Sequence, residues 1–426
     1  MERAYERLLR YVTIDTTSDE NAGLSGKIPS TDCQFELARL LVEEMKNMGI
    51  ADAHVDEKCY VYGTIPAAPG YEDADAIGLI AHLDTSPGFR GAGVKPVIHP
   101  AYDGSILELG DSGRVLDPSI FTDLKQRIGE TLITTDGTTL LGADDKAGIA
   151  EIMTAAEYLI NGGESCGSGN DVSHPAVISH GKVCIAFTPD EEIGGGAQDL
   201  DLEKFGAKYA YTLDGDTENQ IVYETFNACA ADFIIHGFNI HPGDAKDKMI
   251  NAALVATQIA NMLPPGETPR GTEGYEGYYH LTYIEGDVEK ATAHFIVRDH
   301  SSSLFEERQE TLRRIQKQIN EQYGEGTCDL KIRQQYRNMK ETMTDCMHLV
   351  ENAKDAIREL GRTPDISPIR GGTDGAQLSF RGLPCPNLGT GGHAYHGPYE
   401  HITAEGMDFA VQVVLGILKR YALAIK

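Results

Sequence analysis

The sequence lacks the features of secreted and membrane-spanning proteins. It contains no run of about 18 apolar residues, so no membrane-spanning helix is expected. The N-terminal stretch MERAYERLLRYV has the spacing of an amphipathic helix and lacks the apolar core of a signal peptide. The eight cysteines include no CxxC pair, which is typical of reduced thiols rather than of a disulfide framework or a thiolate zinc site. These absences predict a cytoplasmic protein.

Positive charge is also scarce. The chain has 37 basic against 65 acidic residues and a formal net charge of −28. Nucleic acids and anionic membranes are bound through basic patches, so neither is an expected partner. The acidic excess is compatible with a site that concentrates cations. At 426 residues the chain is too long for one hydrophobic core, which predicts two domains.

Most of the chain alternates between apolar strand patterns and helix patterns. Strands are expected at 76–84, 182–190 and 207–216, and a helix is expected at 144–160. This order predicts an α/β domain built on a doubly wound mixed sheet. Ligands bind such sheets at the carboxyl ends of the strands, and here those ends are acidic.

A different pattern begins near residue 225. It predicts strand, helix, two hairpin strands, helix and strand at 226–238, 246–263, 277–286, 289–299, 303–323 and 328–336. The βαββαβ order is that of a ferredoxin-like α+β domain. We therefore expect a small domain, 225–336, inserted into a discontinuous catalytic domain formed by 1–224 and 337–426.

Candidate functional residues collect at the predicted strand ends. A solvated turn or a helix cap explains any one of them but not the whole set, which comprises His82, Asp84, Asp144, Asp145, Asp190, Glu191, Glu192 and Asp214, with three histidines late in GGHAYHGPYEHI. Nitrogen and oxygen donors without sulfur suit zinc, manganese or cobalt. Two such ions sharing a water are a known arrangement for amide hydrolysis. His174 and His180 lie in a predicted surface loop, 161–181, and are not expected to bind metal.

The motifs together resemble a known family. They are AHLDTSPG, LLGADDKAG, AFTPDEEIGGGA, YTLDGD, TEGYEGYYHL, FIVRDH, RGGTDGAQLSFRGLPCPNLGTGG and YHG, and they follow one another over nearly the whole chain. The sequence resembles the co-catalytic zinc aminopeptidase and carboxypeptidase family that includes aminoacylase. Within that family the resemblance is closest to the aminotripeptidases.

The resemblance implies a site for two divalent metal ions, with zinc preferred. His82 and Asp214 would bind one ion, Glu192 and His396 the other, and Asp144 both. His396 is chosen over the neighbouring His393 and His401 because it alone lies in the matching YHG motif.

The resemblance also implies roles beside the metals. Glu191 would be the general base for a metal-bridging water. Asp84 would orient His82, and the peptide bond between Asp144 and Asp145 would be cis. Asp190 receives no role.

The inserted domain would act as a lid. His241 would steady the oxyanion, and Asn251 and Arg298 would face the substrate. Arg298 at a strand end could instead form a surface ion pair with Asp299 or Glu285. Arg370 is a candidate clamp for the substrate carboxylate, since arginine pairs with carboxylates in a bidentate manner.

The expected activity is removal of the N-terminal residue from tripeptides, with short peptides as the substrate class. Two alternatives remain open at this point. The same site could serve a dimetal carboxypeptidase, a dipeptidase or an N-deacylase, and the fold could also belong to a non-catalytic metal-binding or peptide-binding protein. The expectation is compatible with a homodimer.

Overall fold

The computed structural model describes residues 1–161 and 179–424. The chain forms two compact units. The larger unit is drawn from Met1–Tyr223, Thr342–Ser367 and Thr373–Lys426, and the smaller unit from Glu224–Glu341 and Pro368–Gly372. The sequence placed the boundaries at 225 and 336 and did not anticipate the return of 368–372 to the smaller unit.

The described residues form helices distributed along the whole chain. They are α1 Ala4–Tyr11, α2 Glu20–Leu24, α3 Gln34–Met48, α4 Ala143–Asn161, α5 Leu202–Phe205, α6 Ala252–Met262, α7 Ser302–Tyr323, α8 Lys340–Met343, α9 His348–Glu359, α10 Asp374–Phe380 and α11 Ala404–Leu423. Short 3-10 turns occur at Thr122–Gln126, Glu191–Ile193, Gly196–Asp199, Pro242–Asp244 and Thr344–Cys346. Among the described residues, none of the helices has the length and apolar character needed to cross a membrane.

The strands range from two to ten residues. They are β1 His54–Val55, β2 Val61–Ile65, β3 Ile77–His82, β4 Val97–His99, β5 Leu107–Glu108, β6 Val115–Leu116, β7 Leu132–Thr134, β8 Val183–Thr188, β9 Tyr209–Gly215, β10 Ile221–Val222, β11 Asn227–His236, β12 Tyr278–Gly286, β13 Lys290–Asp299, β14 Cys328–Tyr336, β15 Asn387–Gly389, β16 Gly392–His393 and β17 His401–Thr403.

A seven-stranded sheet forms the centre of the larger unit, in the order β1-β2-β8-β3-β9-β15-β10. The four central strands β8, β3, β9 and β15 are parallel, whereas β2 and β10 pair antiparallel with their inner neighbours. β3 and β8 are buried along their whole length, as expected for strands covered on both faces. The predicted α/β class with a mixed sheet is confirmed.

Helix α4 packs directly against β3 and β9. This close approach depends on Gly148, where a Cβ atom would lie 2.0 Å from the backbone oxygen of Leu213. The helix is apolar and buried for most of its length. It therefore brings its first residues, including Asp144, to the edge where the parallel strands end.

Several elements of the larger unit differ from the prediction. The larger unit also contains a four-stranded sheet, in the order β16-β17-β7-β4, that was not predicted. Its strands are two or three residues long, which is too short to show a periodic pattern of apolar residues. Helix α10 was hidden in a glycine-rich stretch, and Thr373 caps it by accepting a hydrogen bond from the Ala376 N–H. Helix α3 begins at Gln34 without a side-chain cap.

The smaller unit has the predicted order β11-α6-β12-β13-α7-β14. Its sheet is antiparallel throughout, in the order β12-β13-β11-β14. One face of the sheet packs with α6 and α7 into a core that includes Phe233, Ile259, Phe295, Leu312 and Ile315. Helix α6 was expected from 246 but begins at Ala252, where the Asn251 side chain caps it.

Candidate metal centre

The carboxyl ends of three neighbouring parallel strands bring the candidate residues of the larger unit together. His82 is the last residue of β3 and pairs in register with Thr188 at the end of β8. Glu191 and Glu192 follow β8 in a 3-10 turn, and Asp214 lies near the end of β9. Because β8, β3 and β9 are adjacent, residues far apart in sequence share one edge of the sheet.

His82 is buried and faces two carboxylates. Its Nε2 lies 2.9 Å from Asp144 Oδ1 and 3.6 Å from Asp214 Oδ1. Its Nδ1 lies 2.9 Å from the backbone oxygen of Asp84, to which it can donate. That hydrogen bond leaves the Nε2 lone pair directed at the acids, which is the orientation a metal-binding histidine needs.

Asp144 lies between two histidines. Its Oδ2 is 3.0 Å from His396 Nε2, which is also 3.0 Å from Glu192 Oε2. The peptide bond from Asp144 to Asp145 is cis, as expected. The two oxygens of the Asp144 carboxylate therefore face different histidines, His82 on one side and His396 on the other.

The donor atoms fit divalent cations. Ligand atoms within 4.8 Å of one another occur in the groups His82, Asp144, Glu192 and His82, Glu191, Asp214. The Glu192 Oε1 atom is buried and has no hydrogen-bond partner, so it is available as a ligand. A mixed nitrogen and carboxylate set of this kind suits zinc and related ions. Glu191 belongs to the second of these groups, so its carboxylate is close enough to His82 and Asp214 to share a cation with them.

The titration behaviour of the site reflects its crowded acids. Burial raises the pKa of Asp214 to about 7, against the hydrogen bond from His82 that lowers it. Burial, followed by the charge of Asp214, also raises the pKa of Glu191 well above its ordinary value. Hydrogen bonds to Asp144 and Glu192 raise the pKa of His396 to about 11. A bound dication would offset the repulsion between these carboxylates.

Asp84 fixes the turn that carries the two glutamates. Its fully buried carboxylate accepts the backbone N–H of Glu191 at 2.9 Å and of Glu192 at 3.2 Å. The sequence interpretation assigned Asp84 to orienting His82. In the structure His82 Nδ1 lies 2.9 Å from the Asp84 backbone oxygen and 3.4 Å from Asp84 Oδ1, and the same carboxylate also holds the glutamates.

Asp190, which had no predicted role, anchors the same turn from the other side. It adopts a left-handed backbone conformation with φ of 58° and is buried. Its carboxylate accepts the Ser30 N–H at 2.6 Å, the Ser30 hydroxyl at 2.5 Å and the Gln34 Nε2 at 2.7 Å. These partners are 156–160 residues away in sequence, so no local signal pointed to them.

Two further buried acids near the cluster were missed by the sequence interpretation. Asp374 accepts the Thr188 hydroxyl and the Ala197 N–H, both at 2.7 Å. A Cβ atom on Gly196 would lie 1.8 Å from Asp374 Oδ1, which explains the third glycine of the GGG run. Glu400 accepts three backbone N–H groups next to Asp144. Both acids lie in or beside glycine-rich motifs, and these motifs were the feature of the sequence that could have indicated them.

The other histidines considered as ligands have different partners. His401 is fully buried, and its Nε2 lies 2.7 Å from Asp123 Oδ2. The Nε2 of His393 lies 3.1 Å from the Arg127 guanidinium. His180 is buried, with Nδ1 2.8 Å from the Gly181 oxygen, and His174 lies outside the described residues. Of the three late histidines, His396 is the one in contact with Asp144 and Glu192.

The predicted substrate-binding residues lie in the smaller unit. His241 is exposed, and its Nδ1 accepts the Gly243 N–H at 3.1 Å. Asn251 is partly exposed and caps α6, with Oδ1 accepting the Leu254 N–H at 3.2 Å. Both side chains thus stabilise local backbone through one atom, which leaves the remaining polar atoms of each side chain available.

The two arginines differ in how their guanidinium groups are used. Arg298 donates to the backbone oxygens of Cys229 and Val297 and lies over the ring of Tyr336. The alternative of a surface ion pair was wrong, because Arg298 is buried and, among the described residues, pairs with neither Asp299 nor Glu285. Asp299 pairs with Arg308 instead. Arg370 donates to the oxygens of Gly274 and Glu276 and to the Thr272 hydroxyl, so it braces that loop.

Comparison with solved structures identifies the class of fold. Over 99% of this chain and 98% of theirs, it matches aminopeptidase PepT from Bacillus cereus with a TM-score of 0.73 at 24% identity, and a tripeptidase from Staphylococcus aureus with a TM-score of 0.75 at 20% identity. A dinuclear metal-binding peptidase of the M20 family from Bacillus subtilis matches with a TM-score of 0.62 at 15% identity, over 98% and 97% of the two chains. Residues 223–327 match the family described as peptidase dimerisation domain. The fold is that of these peptidases.

Closer relatives identify the family. The chain is 49% identical over 424 residues to peptidase T from Alkaliphilus oremlandii, covering 99% of this chain and 100% of the relative. It is 50% identical over 423 residues to peptidase T from Desulfitobacterium hafniense, covering 99% of both chains. The chain belongs to the peptidase T family. The metallopeptidase resemblance drawn from the sequence motifs is therefore confirmed.

Proposed function

We propose that this chain is a dimetal aminopeptidase that hydrolyses the N-terminal peptide bond of tripeptides. The observation that carries the proposal is the position of Asp144 between His82 and His396. Peptidase T relatives and a tripeptidase of the same fold support the choice of substrate.

Two divalent ions, which we propose to be zinc, would be held by His82 and Asp214, by Glu192 and His396, and by Asp144 between them. When bound, such ions polarise a carbonyl group and lower the pKa of a water molecule. The orphaned Glu192 Oε1 and the sulfur-free donor set support this assignment.

Glu191 is the proposed proton carrier. In the reaction its carboxylate takes the proton from the water that attacks the scissile carbonyl, and then delivers it to the leaving amine. Burial raises the pKa of the Glu191 carboxyl above its ordinary value, which favours a group that takes up a proton and passes it on. The hydrogen bond from the Glu191 N–H to Asp84 fixes the backbone from which that carboxylate extends.

The smaller unit would supply the contacts to the substrate. We propose that His241 donates to the oxyanion through Nε2, since Nδ1 already accepts a backbone N–H. Asn251 and Arg298 would contact the peptide. Arg370 is the second candidate for binding the substrate carboxylate. Its guanidinium group already donates hydrogen bonds to three oxygens of one loop, and this favours Arg298 as the clamp.

We further propose a homodimer and a cytoplasmic location. The match of 223–327 to a peptidase dimerisation domain supports the dimer. The cysteines of the described residues are free thiols, which is the usual state in a reducing compartment.

The decisive experiment compares four substrates with the purified, zinc-loaded protein: a tripeptide, the corresponding dipeptide, the N-acetylated tripeptide and the tripeptide amide. We expect the free tripeptide to be cleaved fastest, with release of its N-terminal residue, and the acetylated form to be resistant. Faster cleavage of the acetylated peptide would favour an N-deacylase, and release of the C-terminal residue would favour a carboxypeptidase. Either result would overturn the proposal.

A further inference from the structure

Glu400 is buried beside the cluster, and its carboxylate accepts hydrogen bonds from backbone N–H groups. Its Oε2 accepts the backbone N–H groups of Leu141 and Gly142 at 2.7 and 2.8 Å, and its Oε1 accepts the Asp144 N–H at 3.0 Å. One carboxylate thus collects three backbone donors from a single turn, which is the turn that begins α4 and carries Asp144.

Glu400 also lies close in sequence to the candidate ligand His396. Glu400 and His396 belong to the same short segment, 396–400. His396 reaches the Asp144 side chain at Oδ2, and Glu400 reaches the Asp144 backbone N–H. One segment therefore holds Asp144 by both its side chain and its main chain, and any shift of the turn would move Asp144 relative to both histidines.

We propose that Glu400 is a positioning residue for the metal site: it fixes the 141–144 turn so that the Asp144 carboxylate faces His82 and His396 together. Three hydrogen bonds to a buried carboxylate are strong enough to set a turn that also contains Gly142 in the left-handed region, with φ of +81°. The metal-binding consequence rests on the proposed function, whereas the fixing of the turn does not.

The chain offers a closely matched control. Glu405, five residues further along, also accepts backbone and hydroxyl donors, from Thr131 N–H at 2.7 Å and Thr131 Oγ1 at 3.1 Å. Glu405 has no hydrogen bond to the 141–144 turn. Glu405 is partly buried, whereas Glu400 is buried. Comparing Glu400→Gln with Glu405→Gln separates the loss of a carboxylate that binds backbone N–H groups in general from the loss of this particular one.

The first test uses the metal-free protein. In Glu400→Gln one carboxylate oxygen becomes an amide that offers hydrogens to N–H donors, so at least one of the three bonds is lost. We expect amide hydrogen exchange, followed by mass spectrometry, to be at least about tenfold faster in 141–144. Glu405→Gln should leave 141–144 unchanged. Unchanged exchange in Glu400→Gln would overturn the proposal, whether or not the parent protein binds metal.

The second test measures zinc affinity by competition with a chelating dye, and steady-state kinetics at saturating zinc. We expect Glu400→Gln to raise the zinc Kd about 10–100-fold, as for other residues that orient metal ligands. kcat should fall, KM should change less than about twofold, and Glu400→Ala should exceed Glu400→Gln in each effect. A zinc Kd equal to that of Glu405→Gln would overturn the metal part of the inference. Failure of the parent to bind zinc would instead overturn the proposed function.

Discussion

The two units of the molecule hold their candidate residues in contrasting ways. In the larger unit the acids and His82 are largely buried, and a surrounding set of carboxylates ties their backbone in place, as Asp84 does for Glu191 and Glu192. In the smaller unit His241 is exposed, and its Nδ1 accepts a hydrogen bond from Gly243, only two positions away. The candidate residues of the larger unit are therefore held in fixed positions, whereas the His241 side chain has more freedom to adjust its position.

The largest expected effect tests the rigid side of this comparison. In Glu191→Gln we expect kcat to fall about 10²–10⁴-fold, because the proposed proton carrier is removed while the proposed ligands stay in place. Metal analysis of the purified variant should give the parental zinc content. Glu192→Gln is the matched control, and it should lose zinc together with activity because Glu192 contacts His396.

Normal turnover in Glu191→Gln would show that another group moves the proton. Loss of zinc from Glu191→Gln would show that Glu191 is a ligand, as its place in the group with His82 and Asp214 permits.

The next effect tests the adjustable side. His241→Ala should lower kcat about 10²–10³-fold, the usual result of removing one oxyanion donor, with no change in zinc content. His236→Ala is the control, since His236 is an exposed histidine of the same unit that pairs with Asp329 at 3.1 Å. Equal kinetics for the two variants would remove His241 from the reaction.

A smaller effect is expected at the two arginines. Arg298→Met should lower kcat/KM about tenfold for a tripeptide and much less for the tripeptide amide, because the amide lacks the carboxylate to be bound. Arg370→Met should lower kcat/KM for both peptides to a similar degree, since Arg370 donates hydrogen bonds to the loop around Gly274 and does not distinguish the two peptides. The reverse pattern would assign the clamp to Arg370. Steady-state kinetics on the two peptides decide between them.

The strand-end site was predictable because its signal is local and periodic. Apolar runs that end in acids marked β3, β8 and β9, and parallel strands must end at one edge of a sheet. The anchoring residues were not predictable in this way. Asp190 bonds Ser30 and Glu400 bonds Leu141, and no pattern in a single sequence reports pairs so distant. The two- and three-residue strands of the β16-β17-β7-β4 sheet were missed because so short a stretch shows no periodic pattern of apolar residues.

The smallest effect concerns stability and a buried acid outside the cluster. Glu151 of α4 is fully buried, and neither carboxyl oxygen has a hydrogen-bond partner. Burial, followed by the charges of Glu218 and Asp408, raises the pKa of Glu151 well above its ordinary value of 4.5. The folded state therefore keeps a proton that the unfolded chain releases above that pH, so the stability of the parent protein declines as pH rises.

Glu151→Gln removes this dependence. It should be more stable than the parent by about 1–3 kcal/mol at pH 8, and the gap should shrink toward pH 5. Urea unfolding at both pH values measures the gap, with the exposed Glu203→Gln as a control that should change nothing. A gap that is independent of pH would show that Glu151 is not a buried neutral acid.

The order of the ligands along the chain has a consequence for biosynthesis. The first proposed ligand is His82 and the last is His396, with the whole smaller unit encoded between Asp214 and His396. A growing polypeptide therefore carries an incomplete, acid-rich set of ligands until nearly all of it has left the ribosome, and the smaller unit can fold before that set is complete. Under the proposed ligand assignment, metal loading would be the closing step of maturation, and cells short of the metal would accumulate a full-length but inactive chain.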